Sequence, residues 1–268
     1  SLWSLDPARR EAARAFFAFL ATARAIADDH RRSPEERAAM LQAMDAALDG
    51  TDRDEPWVRP ALKLKRALGH GEVPLAHVRH VMQANIADAA RTRRFPDWSD
   101  LYNYARYRAA PVGRFLLDLH GEPEAARAAI EGLCTAAQIT GLALDAARDH
   151  RDWGHANLPL RWLREAGLDE SALAAPRAGR ELLDVYRRLA GRVNEILRSV
   201  RALPGLIGDP GLRRETAIAW AATARLAARL ADHDPVARRL GLTRFDRLLC
   251  NAEGLLAARR LRSKGSTG

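Results

Sequence analysis

LCTAAQITGLALDAARDHRDWGHANLPLRWLREAGL, residues 133–168, opens as an apolar helical run and closes on a Gly, Asn and Pro break. Within it Asp145 and Asp149 are spaced i,i+4, which sets both carboxylates on one helix face, a turn apart. Buried carboxylates repel unless something positive sits between them. A Mg²⁺ held by one or two carboxylates together with substrate phosphates supplies that charge. A solvated helix face is the plain alternative for two acids at this spacing. The apolar run ahead of the pair, and Gln138 seven residues before Asp145 on roughly the same face, favour a ligand-facing side.

On either side the chain reads helix after helix. Ala, Leu, Arg and Glu dominate, all strong helix formers, and alternating β-branched segments are essentially absent. Ser33-Pro34-Glu35-Glu36 supplies an N-cap, a Pro at the first helical position and acids in the first turn. Similar starts stand at Asp97-Trp98-Ser99-Asp100, at Asp169-Glu170-Ser171 and before Pro210 and Pro235. Breaks fall near 50–56, 69–73, 95–98, 119–123, 152–159, 166–178, 204–210 and 232–235, leaving about eight to ten helices. The expected architecture is one all-α bundle over 1–262 with a flexible tail at 263–268, any ligand site lying between facing helices.

Composition narrows the partners. No apolar run is long enough to span a bilayer, and SLWSLDPARREAARAFF at the N-terminus carries charge throughout, without the apolar core of a signal peptide. Cys134 and Cys250 lack metal or redox spacing and read as free thiols of a reducing, cytoplasmic protein. The net charge is +9, carried almost wholly by Arg, since Lys occurs only at 63, 65 and 264. Those arginines are dispersed among Asp and Glu with no aromatic stacking row, so nucleic acid is not the expected partner. Small anionic substrates, diphosphates in particular, fit the charge.

Four blocks resemble the squalene/phytoene synthase family, most closely its bacterial hydroxysqualene-synthase-like branch. They are FFAFLATARAIADDHRRSPEER (16–37), FPDWSDLYNYARYRAAPVGRFLLDLHGE (95–122), DAARDHRDWGHANLPLRWLREAGL (145–168), and LPGLIGDPGLRRETAIAW with DPVARRLGLTRFDRL (within 203–248). Together they cover nearly the whole chain in the family's order. The resemblance implies an isoprenoid-synthase-type bundle whose central cavity is flanked by two Asp-rich motifs. These hold Mg²⁺, which pulls the diphosphate off an allylic prenyl substrate. Metal charge stabilises the leaving group, and an apolar cavity keeps water from the carbocation.

Carried over residue by residue, the resemblance assigns Asp145 and Asp149 to the second motif, as catalytic metal ligands, with Asp28 the remnant of the first. Gln138, Gly141, Ala109, Val112 and Gly113 fall at substrate-binding positions, as do Tyr104, Tyr107 and Arg94. Near Arg94, the register of Asp88 and Arg93 against the family is off by one.

The departures are as informative. Where the family reads Ala-Asp-Asp-Ile-Ala-Asp, this chain reads Ala23-Arg24-Ala25-Ile26-Ala27-Asp28. The family's Arg-x-Tyr-Leu-Pro becomes His155-Ala156-Asn157-Leu158-Pro159, and its Tyr near the first helix becomes Phe17. Arg24 either meets phosphate directly as a fixed cation or turns to solvent or Asp28.

Half a metal site suits one diphosphate better than two. The leading expectation is a Mg²⁺-dependent prenyltransferase of natural-product type, moving one allylic prenyl group to a small-molecule acceptor, expected to be aromatic. Two alternatives stand: a head-to-head squalene or hydroxysqualene synthase, and a non-catalytic relative acting as a partner subunit. His30, His150 and His155 read as surface histidines. Trp57, Trp98, Trp162 and Trp220 read as core or interface anchors. The arginine-rich end, 259–264, reads as a solvated helix terminus with at most weak membrane-surface contact and no clear apolar face. The oligomeric state is left open.

Overall fold

Pro7 starts the first helix where its missing N–H costs nothing, and Phe16, Phe19, Ala23 and Ile26 follow at three- and four-residue intervals as its buried stripe. The computed structural model describes residues 7–50, 55–69, 75–89 and 92–259. The tail at 263–268 lies outside these residues. The chain is all-α as expected, and it divides into two units, Ser1–Arg91 with Pro111–Glu122, and Thr92–Ala110 with Pro123–Gly268.

The first unit contains α1 (Pro7–Ala27), α2 (Pro34–Leu48), α3 (Arg59–Leu68), α4 (Leu75–Ala89) and the second half of α5 (Trp98–His120). Ser33 caps α2 through a reciprocal pair, its Oγ accepting from Glu36 N–H while the Glu36 carboxylate accepts from Ser33 N–H. The core gathers Phe16, Phe19, Leu41, Met44, Leu64, Met82 and Phe115, with Phe16 stacked on Phe115 at 3.8 Å between ring centroids. Trp57 packs against this core.

The second unit is organised on α6 (Arg127–Trp153), α8 (Arg180–Ser199) and α10 (Pro210–Asp232), which pack on one another, with α11 (Arg244–Arg259) on α10. α7 (Leu160–Glu165) and α9 (Leu203–Leu206) are short connectors. Leu182, Val185, Tyr186, Leu189, Val193 and Leu197 give α8 its buried stripe. Asp97, Asp169 and Asp209 accept from the backbone N–H groups that begin their segments, as their sequence patterns predict. Pro235 differs. Asp234 caps a turn there, accepting from Val236 and Ala237 N–H, and α11 begins only at Arg244.

Two short strands, β1 (Arg94–Phe95) and β2 (Ala156–Pro159), pair in parallel. At two and four residues they are too short to leave an alternating pattern in sequence.

Candidate functional site

Gly154 ends α6 in the left-handed region, φ 66°, with its N–H returned to the carbonyls of Asp149 and His150. Glycine enters that region without a Cβ clash. The reversal sends the chain back as β2 beside β1. Ala156 N–H donates to Arg93 O at 2.9 Å, and Arg93 N–H donates to His155 Nδ1 at 3.1 Å. That pairing delivers Arg93 to an acid 56 positions away in sequence.

The acid is Asp149. Its Oδ2 accepts from Arg93 Nη2 at 3.2 Å and Asn157 Nδ2 at 2.9 Å, and its Oδ1 from Arg148 Nη2 at 3.0 Å and Nε at 3.3 Å. Arg93 Nε also donates to Asn157 Oδ1 at 3.3 Å. Arg148 Nη2 stands 3.2 Å from Asp145 Oδ2, so the two carboxylates of the motif share one guanidinium. Asp149, Arg93, Asn157 and His155 are buried, whereas the side chains of Asp145 and Arg148 are 26% and 46% exposed. The cluster therefore has a dry end and a wet end. Burial works against the charge on Arg148, but Asp149 and Asp145 outweigh it and hold the guanidinium above its ordinary value. Because His155 Nδ1 accepts from Arg93, the neutral ring carries its proton on Nε2.

This arrangement bears on magnesium. A carboxylate offers about four lone-pair sites, and four N–H contacts already meet those of Asp149. Asp145 is engaged by the same Arg148. Among the described residues no group of three or more His, Cys, Asp or Glu side chains is placed to hold a metal ion. As arranged, both carboxylates are engaged by Arg148, so a Mg²⁺ held through them would displace that guanidinium. The positive charge that the sequence pattern requires between the carboxylates is supplied by arginine.

Of the other predicted residues, Gln138 and Gly141 lie on the same face of α6, two turns and one turn before Asp145. Both are half-buried, and a Cβ built on Gly141 would meet nothing within 4 Å. Arg94 turns to Glu170 at 3.0 Å. Successive residues of extended backbone point to opposite sides, so the arginine one position earlier is the one that reaches the acid. Tyr104 packs on Phe95, 5.0 Å between centroids, and its hydroxyl accepts from Arg108 Nη1, while Tyr107 is exposed. Ala109 and Gly113 are buried on α5, with Val112 half-buried against the core of the first unit. His155 is buried rather than superficial, because its ring is built into the strand pairing. Sequence reasoning missed Arg148 and Asn157, although Asn157 stands at a flagged departure and Arg148 three residues after Asp145.

In the first unit Asp28 and its neighbour Asp29 are also met by arginines. Arg24 Nε lies 3.6 Å from Asp28 Oδ2, one turn on. Asp29 accepts from Arg31 Nε at 2.8 Å and Arg32 Nε at 3.2 Å, and the Arg31 bond holds its carboxyl below the ordinary value. Arg37 Nη1 donates to the carbonyl of Ala27 at 2.9 Å, closing the end of α1.

An aromatic stack stands in the second unit. Trp98 and Trp162 lie 5.5 Å apart and 4° from parallel, with Arg188 over Trp162 at 4.3 Å and Arg192 over Trp98 at 5.3 Å. An open cleft of about 350 Å³ runs beside it, lined also by Asp97, Arg161 and Glu165. Trp220 Nε1 donates to Leu197 O at 2.9 Å.

Comparison with known proteins bears on this geometry. Residues 1–246 match the profile of a family described as squalene/phytoene synthase. A hydroxysqualene synthase of Rhodopseudomonas palustris is 31% identical over 240 residues, 90% of this chain and 81% of that protein. A hydroxysqualene synthase of Sinorhizobium fredii is 28% identical over 266 residues, 98% of this chain and 90% of that protein. Among solved structures, a dehydrosqualene synthase crystallised with a ligand superposes with a TM-score of 0.74 at 18% identity. That match covers 98% of this chain and 90% of the other, and it is a likeness of fold.

Proposed function

This chain belongs to the squalene/phytoene synthase family, and from that premise we propose that it ionises a prenyl diphosphate in the head-to-head branch, as a hydroxysqualene-synthase-like enzyme. The observation that carries the reading is the arginine-bridged pair Asp145 and Asp149 at the end of α6, at the positions of the family's second acidic motif. The names of the relatives support this branch over transfer to an aromatic acceptor.

Breaking a carbon–oxygen bond to diphosphate leaves concentrated negative charge, which fixed cations stabilise best where water is scarce. Arg148 is half-exposed and steered by both carboxylates, so it is the guanidinium poised to meet a phosphate. Arg93 and Asn157 hold Asp149 from the dry side and keep the steering acid in place. Asp145 and Asp149 act in this reading through the arginine they position. Arg148 stands between the carboxylates, where a magnesium ion would otherwise lie. A hydroxylated product requires that water reach the cation, and the open backbone at Gly141, one turn from Asp145, gives room beside the pair.

A second reading keeps one observation in its favour. Arg24 pairs with Asp28, and Arg31 and Arg32 engage Asp29, so the first motif offers one diphosphate-handling site fewer than a two-donor enzyme needs. One allylic donor and a small acceptor, aromatic or otherwise, match that loss.

The test is turnover of C15 and C30 prenyl diphosphates, with and without Mg²⁺, followed by diphosphate release and mass spectrometry of the organic phase. A C30 alcohol formed without any acceptor supports the head-to-head reading, and Arg148→Ala is expected to lower turnover by about 10²–10³. Diphosphate release that depends on an added acceptor supports the second reading instead. A wild-type chain that binds no prenyl diphosphate refutes both.

A further inference from the structure

In a chain whose basic residues are nearly all arginine, two of the three lysines fall on one short helix. Lys63 and Lys65 lie on α3, whose ten residues, RPALKLKRAL, carry four cations and no carboxylate. α3 packs on α1 within the first unit, and an open cleft of about 700 Å³ runs between them. Arg10 and Arg14 line it from α1, Lys63 and Arg66 from α3. The spacings are i,i+4 and i,i+3, so each helix presents both of its cations on one face.

Glu11 is the one carboxylate among the described lining residues, and it offsets one charge of the four. Lys63 and Arg66 are exposed, and neither forms an ion pair among the described residues. Like charges at helical spacing work against their own helix, so a cleft built this way favours an anion within it. Ala15 and Ala18 face the same space, and their small side chains leave it unfilled. The volume suits a small ligand, for which sites of roughly 300–1,000 Å³ are usual. The cleft is also separate from the first acidic motif. Arg14 precedes Arg24 on α1 by ten residues, roughly 15 Å along the axis.

We propose that this cleft binds a polyphosphate anion, its phosphoryl groups bridging the arginines of α1 and the lysine and arginine of α3. Guanidinium groups grip phosphoryl oxygens in pairs, and an ammonium adds a compact point charge. An anion charged at several points matches a lining that is positive at four, where a single carboxylate does not. No aromatic side chain stands among the described lining residues to stack a base, so the phosphate chain alone is what the cleft reads. The inference is independent of the reaction proposed above.

The full chain is to be titrated calorimetrically with tripolyphosphate in the absence of divalent cations. Binding is expected, weakening in 0.5 M salt. The double variant Lys63→Glu, Arg66→Glu should weaken it about ten-fold or more, while Arg148→Ala leaves it unchanged. Adenosine triphosphate should bind no more tightly than tripolyphosphate. Both substituted side chains are exposed, so the double variant's melting midpoint without ligand should not fall, which separates lost binding from lost folding. No binding by the wild type, or equal binding by the double variant, overturns the proposal. Loss of binding in Arg148→Ala overturns it as well, since the anion then sits between Asp145 and Asp149. So does binding of adenosine triphosphate without tripolyphosphate, because the base is then what is recognised.

Discussion

Arg93 Nη2 and Asp149 Oδ2 stand 3.2 Å apart with both side chains more than nine-tenths buried. Taking away Asp149 leaves Arg93 buried without its carboxylate, at a cost of about 3–5 kcal/mol, whereas Asp149 without Arg93 keeps its bonds from Arg148 and Asn157 and loses less. Asp149→Leu should lower the urea midpoint strongly and Arg93→Met less, and the double variant should recover part of the Asp149→Leu loss. Two single losses that simply add in the double variant would show that the pair is not coupled.

Arg148 occupies the positions a cation would need between Asp145 and Asp149. Arg148→Ala frees one oxygen of each carboxylate, so the variant should bind Mn²⁺ more tightly than the wild type, by about ten-fold or more. Electron paramagnetic resonance of free Mn²⁺ reads this directly, without turnover. A stoichiometric wild-type site that Asp149→Asn removes would contradict the closed arrangement.

Gly254 lets α11 approach α10 closely, with backbone Arg214 O only 3.0 Å from where a Cβ would sit. A carbonyl cannot swing aside as a side chain does. Gly254→Ala should cost about 1–3 kcal/mol, measured as a loss of chemical stability.

Tyr186 is wholly buried, its hydroxyl has no hydrogen-bond partner among the described residues, and burial, aided by Asp234, pushes the phenol well above its ordinary value. An unsatisfied buried hydroxyl costs on the order of 1 kcal/mol, so Tyr186→Phe should hold or raise the melting temperature. A clear drop would point to a partner, such as a bound water.

Burial pushes the His80 imidazole below its ordinary 6.5, and Arg114 and His77 add to the shift. Folding therefore favours the neutral ring. The associated stability is present above pH 6.5 and is lost as pH falls through the lowered value. Thermal midpoints followed from pH 7.5 to 5 should decline, and His80→Gln should flatten part of that decline.

Local physics made most of the helical framework readable. Ser33 and Glu36 announce α2 through a capping box, and the Phe16, Phe19, Ala23 spacing announces the buried side of α1. Asp145 and Asp149 were legible as a pair because helical spacing alone puts them together. Their partner was not, since Arg93 arrives through a strand pairing too short to leave a pattern, and alternation along that strand decides between Arg93 and Arg94. Asp234 before Pro235 imitates a helix start, yet the same side chain caps a turn equally well. The close seat of α11 on α10 at Gly254 is likewise a fact of packing rather than of composition.

The β1–β2 clasp also sets an order of events. Arg93 and His155 are 62 residues apart, and closing a loop of that length costs roughly 3–4 kcal/mol of chain entropy before any contact repays it. Helices α5 and α6 form from neighbours in sequence and need not wait. The carboxylate pair thus acquires its buried arginine late on the folding route, and a nascent chain carries Asp149 exposed until the helices on both sides have already docked.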